Sequence, residues 1–351
     1  MKKTLLLAFA LILSAATFAQ QQLATLNQNG VITVYYGLTA LQQAHGAAVN
    51  GDIITLSPGT FNSVNITKAV TIRGAGMFAD VEAGTGATIL INNYQISVEN
   101  SDYTLYMEGI NNACEYVNCV KYDSPQFVKC YFRTIRPYGS NSNMQEATFE
   151  SCIIGYFQFQ DNGTIKAFDT RFINSVILNL DDYRNPTYSL THCVAKASAN
   201  PSHLNNVTVL NSILYNNTNN TSVNAINSSN SIGIQTNNSL NNGYFVAYTT
   251  LSEQNLHNYK GLNVVFENFD GSYIHGTTNL MLKGEAATLL GSDNTQIGIY
   301  GGQMPFDPKV RNPLIGKVTV APTTTSAGIL QVDIQLNEPT NNTNTNTDPN
   351  N

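Results

Sequence analysis

The stretch Phe127-Val128-Lys129-Cys130-Tyr131-Phe132 is followed by Phe149-Glu150-Ser151-Cys152-Ile153-Ile154. Both read as a bulky apolar residue, two variable positions, a small residue, one variable position and a second apolar residue. The pattern continues as Phe168-x-x-Arg171-x-Ile173, Leu190-x-x-Cys193-x-Ala195 and Val209-x-x-Ser212-x-Leu214. An earlier copy is Leu105-x-x-Glu108-x-Ile110, and a degenerate later one is Val246-x-x-Thr249-x-Leu251. Successive copies are 22, 22, 19, 22, 19 and 37 residues apart, the last close to two steps. Leucine-rich repeats share this range, but their Leu/Asn consensus is absent.

The segments between copies are rich in Val, Ile, Thr, Tyr and Phe and punctuated by Asn and Gly, which predicts short strands joined by turns. A repeat of this length is one coil of a solenoid. A single coil cannot bury its own apolar side chains, whereas stacked coils place equivalent residues about 4.8 Å apart in continuous ladders. Asn suits the bends because it tolerates the left-handed backbone region and bonds locally. The expected fold is all-β, a single-stranded parallel β-helix on the order of 12 coils long at this strand spacing. At its N-terminal end Thr39-Ala40-Leu41-Gln42-Gln43-Ala44 predicts a short capping helix, with Thr39 and Gln42 as its capping box.

The flanking segments divide the chain. Lys2 and Lys3, the apolar run Leu5 to Leu13 and Thr17-Phe18-Ala19 predict a signal peptide over residues 1–19. The apolar run is too short to span a bilayer, and no later run is longer. No Cys follows the predicted cleavage site, so no lipid anchor is expected. The expected destination is extracellular, cell-surface or periplasmic, with no integral membrane segment after cleavage. The β-helix is expected over 20–302, with Ile297 to Gly302 as its last coil. A two-strand extension over 303–336 follows, in Lys317 to Val320 and Gly328 to Leu336, and a disordered Asn- and Thr-rich tail over 337–351.

Charge narrows the partners. The chain has 351 residues, 11% of them charged, 17 basic against 23 acidic and no Trp. The acidic balance argues against nucleic acid. The basic residues are concentrated in Lys121, Lys129, Arg133, Arg136, Lys166, Arg171, Arg184 and Lys196, interleaved with Tyr116, Tyr122, Tyr131, Tyr138, Tyr156, Tyr183 and Tyr188. Residues 197–259 hold no Lys or Arg, one acid (Glu253) and 17 Asn. An acidic glycan approaching an acidic protein needs local positive charge, so any ligand is expected on the coils of 121–196.

One stretch carries a resemblance. Gly51-Asp52-Ile53-Ile54-Thr55-Leu56-Ser57-Pro58-Gly59-Thr60-Phe61, with Ile66-Thr67-Lys68-Ala69-Val70-Thr71-Ile72-Arg73-Gly74-Ala75-Gly76, resembles the opening coils of the right-handed parallel β-helix proteins of the pectin-lyase-like superfamily. That superfamily holds pectate and pectin lyases, polygalacturonases, methylesterases and proteins without known activity, so the resemblance implies the fold and not a function. Of the polygalacturonase signatures only Asp181-Asp182 and His275-Gly276 occur; Asn-Thr-Asp and Arg-Ile-Lys are absent. The calcium-dependent lyases would need an acidic metal cluster, which is not legible here; Ca2+ enters only if the protein is a lyase, and otherwise no cofactor is expected.

Arg171 falls in the slot that holds Cys or Ser in other coils, with Asp169 two residues away and Glu150 expected one coil behind Asp169. It reads either as an anchor or proton acceptor for a uronate, or as half of an ion pair at a coil edge. The weak catalytic candidates are Arg171, Asp181 and Asp182; the weak ligand-binding candidates are Tyr131, Arg133, Glu150, Asp169, Arg171, Tyr183 and Arg184. Tyr131 and Phe172, read as outward, could stack on sugar rings or simply pack. The five Cys read as small fillers of the ladder, with Cys130 and Cys152 close enough to cross-link, and Cys114 and Cys119 do not make a zinc pattern. The five His are too dispersed for a triad. The leading expectation is a secreted or cell-surface, non-catalytic polysaccharide-binding or structural module. The alternative is a divergent polysaccharide lyase or glycoside hydrolase.

Overall fold

In a computed structural model the described residues are 22–81, 84–98, 102–138, 143–158, 166–180, 188–197, 207–216, 223–224, 228–236, 245–246, 255–310, 314–320 and 332–337. The predicted signal peptide, the tail beyond 337, and Asp181, Asp182, Tyr183 and Arg184 lie outside them. The chain divides into two units, Met1–Lys309 and Val310–Asn351.

The first unit is a parallel β-helix. Its first sheet has 11 strands. Two form an antiparallel hairpin at one end, β1 (Leu23–Gln28) and β2 (Val31–Tyr36), joined through Asn29 and Gly30, both at positive φ. The others stack in parallel, one per coil, from Ile53–Leu56 through Thr71–Arg73, Tyr106–Glu108, Gln126–Val128, Thr148–Glu150, Thr170–Ile173, Tyr188–Thr191 and Val207–Leu210 to Ser228–Ser229. A second, 14-stranded sheet makes the other walls.

The strands are three or four residues long, and each points a central apolar residue inward. Ile54, Ile72, Met107, Phe127, Phe149, Phe172, Leu190 and Val209 are in register and buried. The rings of Phe127, Phe149 and Phe172 stack at 4.9 and 5.1 Å, which is the strand spacing expressed in side chains. Phe132 and Phe157 from the second sheet meet them edge-on. Each such ring contributes roughly 1.5–3 kcal/mol by leaving water.

This register corrects the repeat. Phe149 pairs with Phe172, not Phe168, so the third copy is Phe172-x-x-Ser175-x-Ile177. Phe168 belongs to a strand of the second sheet, Lys166–Phe168. The earlier copy starts at Met107 rather than Leu105, and Val246 pairs with Asn224 in a small separate sheet. The sequence allowed the slip because Phe168-x-x-Arg171-x-Ile173 and Phe172-x-x-Ser175-x-Ile177 both fit the pattern once Arg is admitted to the small slot, while the turns between these three- or four-residue strands vary in length.

At each bend one residue adopts the left-handed region: Gly109, Lys129, Ser151, Asn174, His192, Asn211, Asn230 and Asn255, with φ between 45° and 66°. From Lys129 to Asn230 the residue after it is the small one of the repeat, whereas Ile110 follows Gly109 and Leu256 follows Asn255. Ser175 Oγ donates to Ile173 O at 2.8 Å, and Ser212 and Ser231 repeat this contact at 2.7 Å. Cys130, Cys152 and Cys193 place their thiols on the equivalent carbonyls at 3.3–3.4 Å. No cysteine forms a disulfide, and all five are buried.

Helix α1 (Ala40–Ala47) closes the first coil with Ala40, Leu41, Ala44 and His45 buried. The capping box does not form: Thr39 makes no cap bond, and Gln42 Nε2 donates to Ser63 O at 3.0 Å. The other helix end is held by Lys68, whose ammonium donates to the carbonyls of His45, Gly46 and Ala48 at 2.7, 2.9 and 2.6 Å.

The solenoid ends earlier than the dozen coils expected. After Lys260 the chain turns through α2 (Leu262–Val265) and an antiparallel strand pair, Phe266–Asn268 with Asn279–Leu282, and returns along the flank as far as Phe306. Ile297 to Gly302 is therefore not a coil but part of this covering segment. Ile153, Val176, Val194, Ile213 and Ile232, stacked on the second sheet, pack beneath it with Val265, Phe266, Leu280, Ile297 and Ile299 in a second core. The corner residues fasten it. Asn174 Nδ2 donates to Ile299 O and Gly301 O at 2.9 and 2.8 Å, and His192 Nε2 lies 2.9 Å from Asp293 Oδ2.

The second unit contains the antiparallel pair Leu314–Val320 and Val332–Asn337, which is the expected two-strand extension.

Candidate functional site

The covering segment seals one strip of the second sheet, whereas among the described residues no segment packs over the outer side of the first sheet. Outward residues flank each inner one, so two parallel rows run along it. One row is Thr71, Tyr106, Gln126, Thr148, Arg171, Ser189 and Thr208, each the partner of the next. All of these are half-buried or exposed, and every one ends in a hydrogen-bonding group. The second row is Arg73, Glu108, Val128, Glu150, Ile173, Thr191 and Leu210. Strand stacking alone sets the pitch at about 4.8 Å per residue.

The rows interact at their N-terminal end. Arg73 Nε lies 3.7 Å from Glu108 Oε2. Partial burial, with the hydrogen bond to the Glu108 carboxylate, holds the Tyr106 phenol above its usual range, so it stays a donor.

The predicted site residues fall in different places. Arg171 is in the open row, exposed between Thr148 and Ser189, and not in the Cys/Ser slot, which Ser175 fills. Asp169 is exposed at a preceding bend with φ 56°, equivalent to Ser124 and Glu146. Glu150 pairs with Ile173 rather than aligning with Asp169, and occupies the second row. Phe172 points inward and is fully buried, so it cannot meet a sugar. Tyr131 faces outward from the second sheet but packs beside Phe78, at 6.0 Å, under the covering segment. Arg133 is exposed on the second sheet. Arg171 and Glu150 are thus the candidates that share the open face.

A second concentration of the expected Arg and Tyr residues forms around Arg136. Its guanidinium lies 3.8 Å from the Tyr116 ring centroid and 5.4 Å from that of Tyr138, and its Nε donates to Asn118 Oδ1 at 2.7 Å. The aromatic faces hold the cation in place.

Sequence reading missed Thr71, Tyr106, Gln126, Thr148, Ser189 and Thr208. The signal is present once the register is right: each immediately precedes an inner-ladder residue. Among the described residues no group of three or more His, Cys, Asp or Glu side chains comes together to hold a metal, and no helix is long and apolar enough to cross a membrane.

No family model matches the chain, and neither a curated protein nor a solved structure does.

Proposed function

We propose that the protein is an exported, non-catalytic β-helix that binds an extended polysaccharide along the open face of its first sheet. The observation that carries this reading is the uninterrupted row Thr71–Tyr106–Gln126–Thr148–Arg171–Ser189–Thr208. A linear glycan presents hydroxyls at regular intervals, and a row of one hydrogen-bonding side chain per strand, about 4.8 Å apart, matches such a polymer with little reorganisation. Arg171 is the cation of that row and supplies a contact for a uronate carboxylate. Neighbouring outward residues are Glu150, Ile173 and Thr191, an arrangement suited to binding rather than to paired-carboxylate hydrolysis.

The test is affinity electrophoresis against acidic and neutral polysaccharides, with parallel measurement of new reducing ends and of unsaturated product absorbance. Retardation without product is expected. The double substitution Gln126→Ala with Arg171→Ala should weaken retention roughly 10-fold or more, which is about 1.4 kcal/mol. Product formation would overturn the non-catalytic reading. Retention unchanged by the double substitution would overturn the placement.

A further inference from the structure

The hairpin strand β2 is the terminal strand of the first sheet, and among the described residues no strand pairs with its outer edge. The direction of its free groups follows from the hairpin. Gly37 N donates to Gln22 O, which fixes that pair as a hydrogen-bonded one. With pairs alternating along an antiparallel ladder, Val31, Thr33 and Tyr35 bond inward to β1, and the N–H and C=O groups of Ile32, Val34 and Tyr36 face outward. Their side chains lie on one face and are 63%, 40% and 56% exposed.

Such an edge ordinarily carries a Lys, a Pro or a bulge that blocks pairing. This one has none of these. No Asp, Glu, Lys or Arg occurs between Lys3 and Asp52, although the chain as a whole has a net charge of −6. For an acidic protein the uncharged end is where a second copy approaches with the least repulsion.

We propose that two copies of the chain pair edge to edge through β2, antiparallel about a two-fold axis at Val34. The register is self-complementary. Val34 lies opposite Val34 of the other copy, and Ile32 lies opposite Tyr36, so each outward N–H meets a carbonyl. The apolar side chains meet as cross-strand pairs. The first sheet then runs continuously through both molecules.

Sedimentation velocity of the purified protein from about 1 to about 100 µM should show a concentration-dependent dimer. Val34→Lys places two ammonium groups against each other at the axis and should weaken association roughly 100-fold or more, with circular dichroism unchanged. Val34→Pro removes an N–H that bonds only across the interface, and should also give a monomer if the Lys variant misfolds. Val34→Cys should cross-link to itself on mild oxidation, while Thr55→Cys, exposed on the same face two strands in, should not; the native thiols are all buried. A monomer at every concentration would overturn the proposal, as would be the case if the edge instead takes an extended segment of a different protein. A dimer that survives both Val34→Lys and Val34→Pro, or equal cross-linking at Thr55→Cys, would overturn it too.

Discussion

His45 makes the end cap of the solenoid sensitive to acid. Its side chain is buried on α1, and its Nε2 accepts the Thr67 N–H at 3.4 Å, which requires that nitrogen to be unprotonated. The neighbouring residue, Lys68, reaches back to three carbonyls of the same helix end. Burial, and then the Lys68 ammonium, lower the pKa of His45 from 6.5 to about 4. A histidine held neutral by folding stabilises the protein fully above its unfolded pKa, and that contribution is lost as pH falls through the folded one. The window is therefore pH 6.5 down to about 4, and the fall is worth up to about 3 kcal/mol. Typical domain stabilities are about 5–15 kcal/mol, so the loss is a visible fraction. Urea unfolding near pH 7 and near pH 4 measures it, for the wild type and for His45→Gln, whose amide oxygen can still accept from Thr67 but does not titrate. Carboxylate contributions are common to both proteins and cancel in the difference. The variant should lose about 2–3 kcal/mol less than the wild type across this window. Equal losses would refute the assignment.

Two further outcomes follow from the packing. Phe149→Ala removes a fully buried ring stacked between Phe127 and Phe172. Its urea-derived stability should fall by about 3–5 kcal/mol, and a loss below about 1 would contradict the stacked ladder. Asn174→Gly keeps the left-handed backbone but removes the amide that holds Ile299 O and Gly301 O; Ile299 O keeps the Phe306 N–H, whereas Gly301 O loses its donor at about 1–3 kcal/mol. Amide exchange should accelerate in residues 289–306 while the Thr148–Glu150 strand stays protected; uniform acceleration would show that the segment is not held separately.

The β-helix was legible because its inner ladder is written in large residues at a recurrent spacing. Phe127 and Phe149 align in the structure as they do in the sequence. The register then slipped at Phe168, since strands of three or four residues provide too little alternation to choose between two overlapping matches four residues apart. The slip carried Arg171 into the wrong slot and hid the open row, whose members are recognisable only as the residues preceding the inner ladder. The β1–β2 hairpin had a local signal, Asn29-Gly30 between apolar alternations, which is a two-residue turn motif. The covering segment had a subtler one. Ile153-Ile154, Val176-Ile177, Val194-Ala195 and Ile213-Leu214 are adjacent apolar pairs, and a strand with both neighbours apolar is buried on both faces. What lay above those strands could not be read from the pairs themselves, because the covering segment has little regular periodicity.

The bend explains why thiols and hydroxyls interchange along the repeat, and with it the role of the cysteines. The left-handed residue turns the chain, and in the coils from Cys130 to Ser231 the next side chain is small enough for the core yet able to bond a carbonyl exposed by the turn. Serine does both: Ser175 Oγ also accepts the Cys152 N–H at 3.0 Å, and Ser212 Oγ accepts that of Cys193 at 3.0 Å, linking one coil to the next. Cysteine fills the same slot with a weaker bond and a more apolar body. Burial pushes the thiols of Cys130 and Cys193 up to about 12, so neither is a nucleophile near neutral pH. An odd number of cysteines in a chain that reads as exported is then explained by packing alone. The same corner, one residue earlier, projects Asn174, His192 and Asn211 outward to fasten the covering segment. A single repeated bend thus sets the coil, ties adjacent coils together inside, and anchors the segment outside.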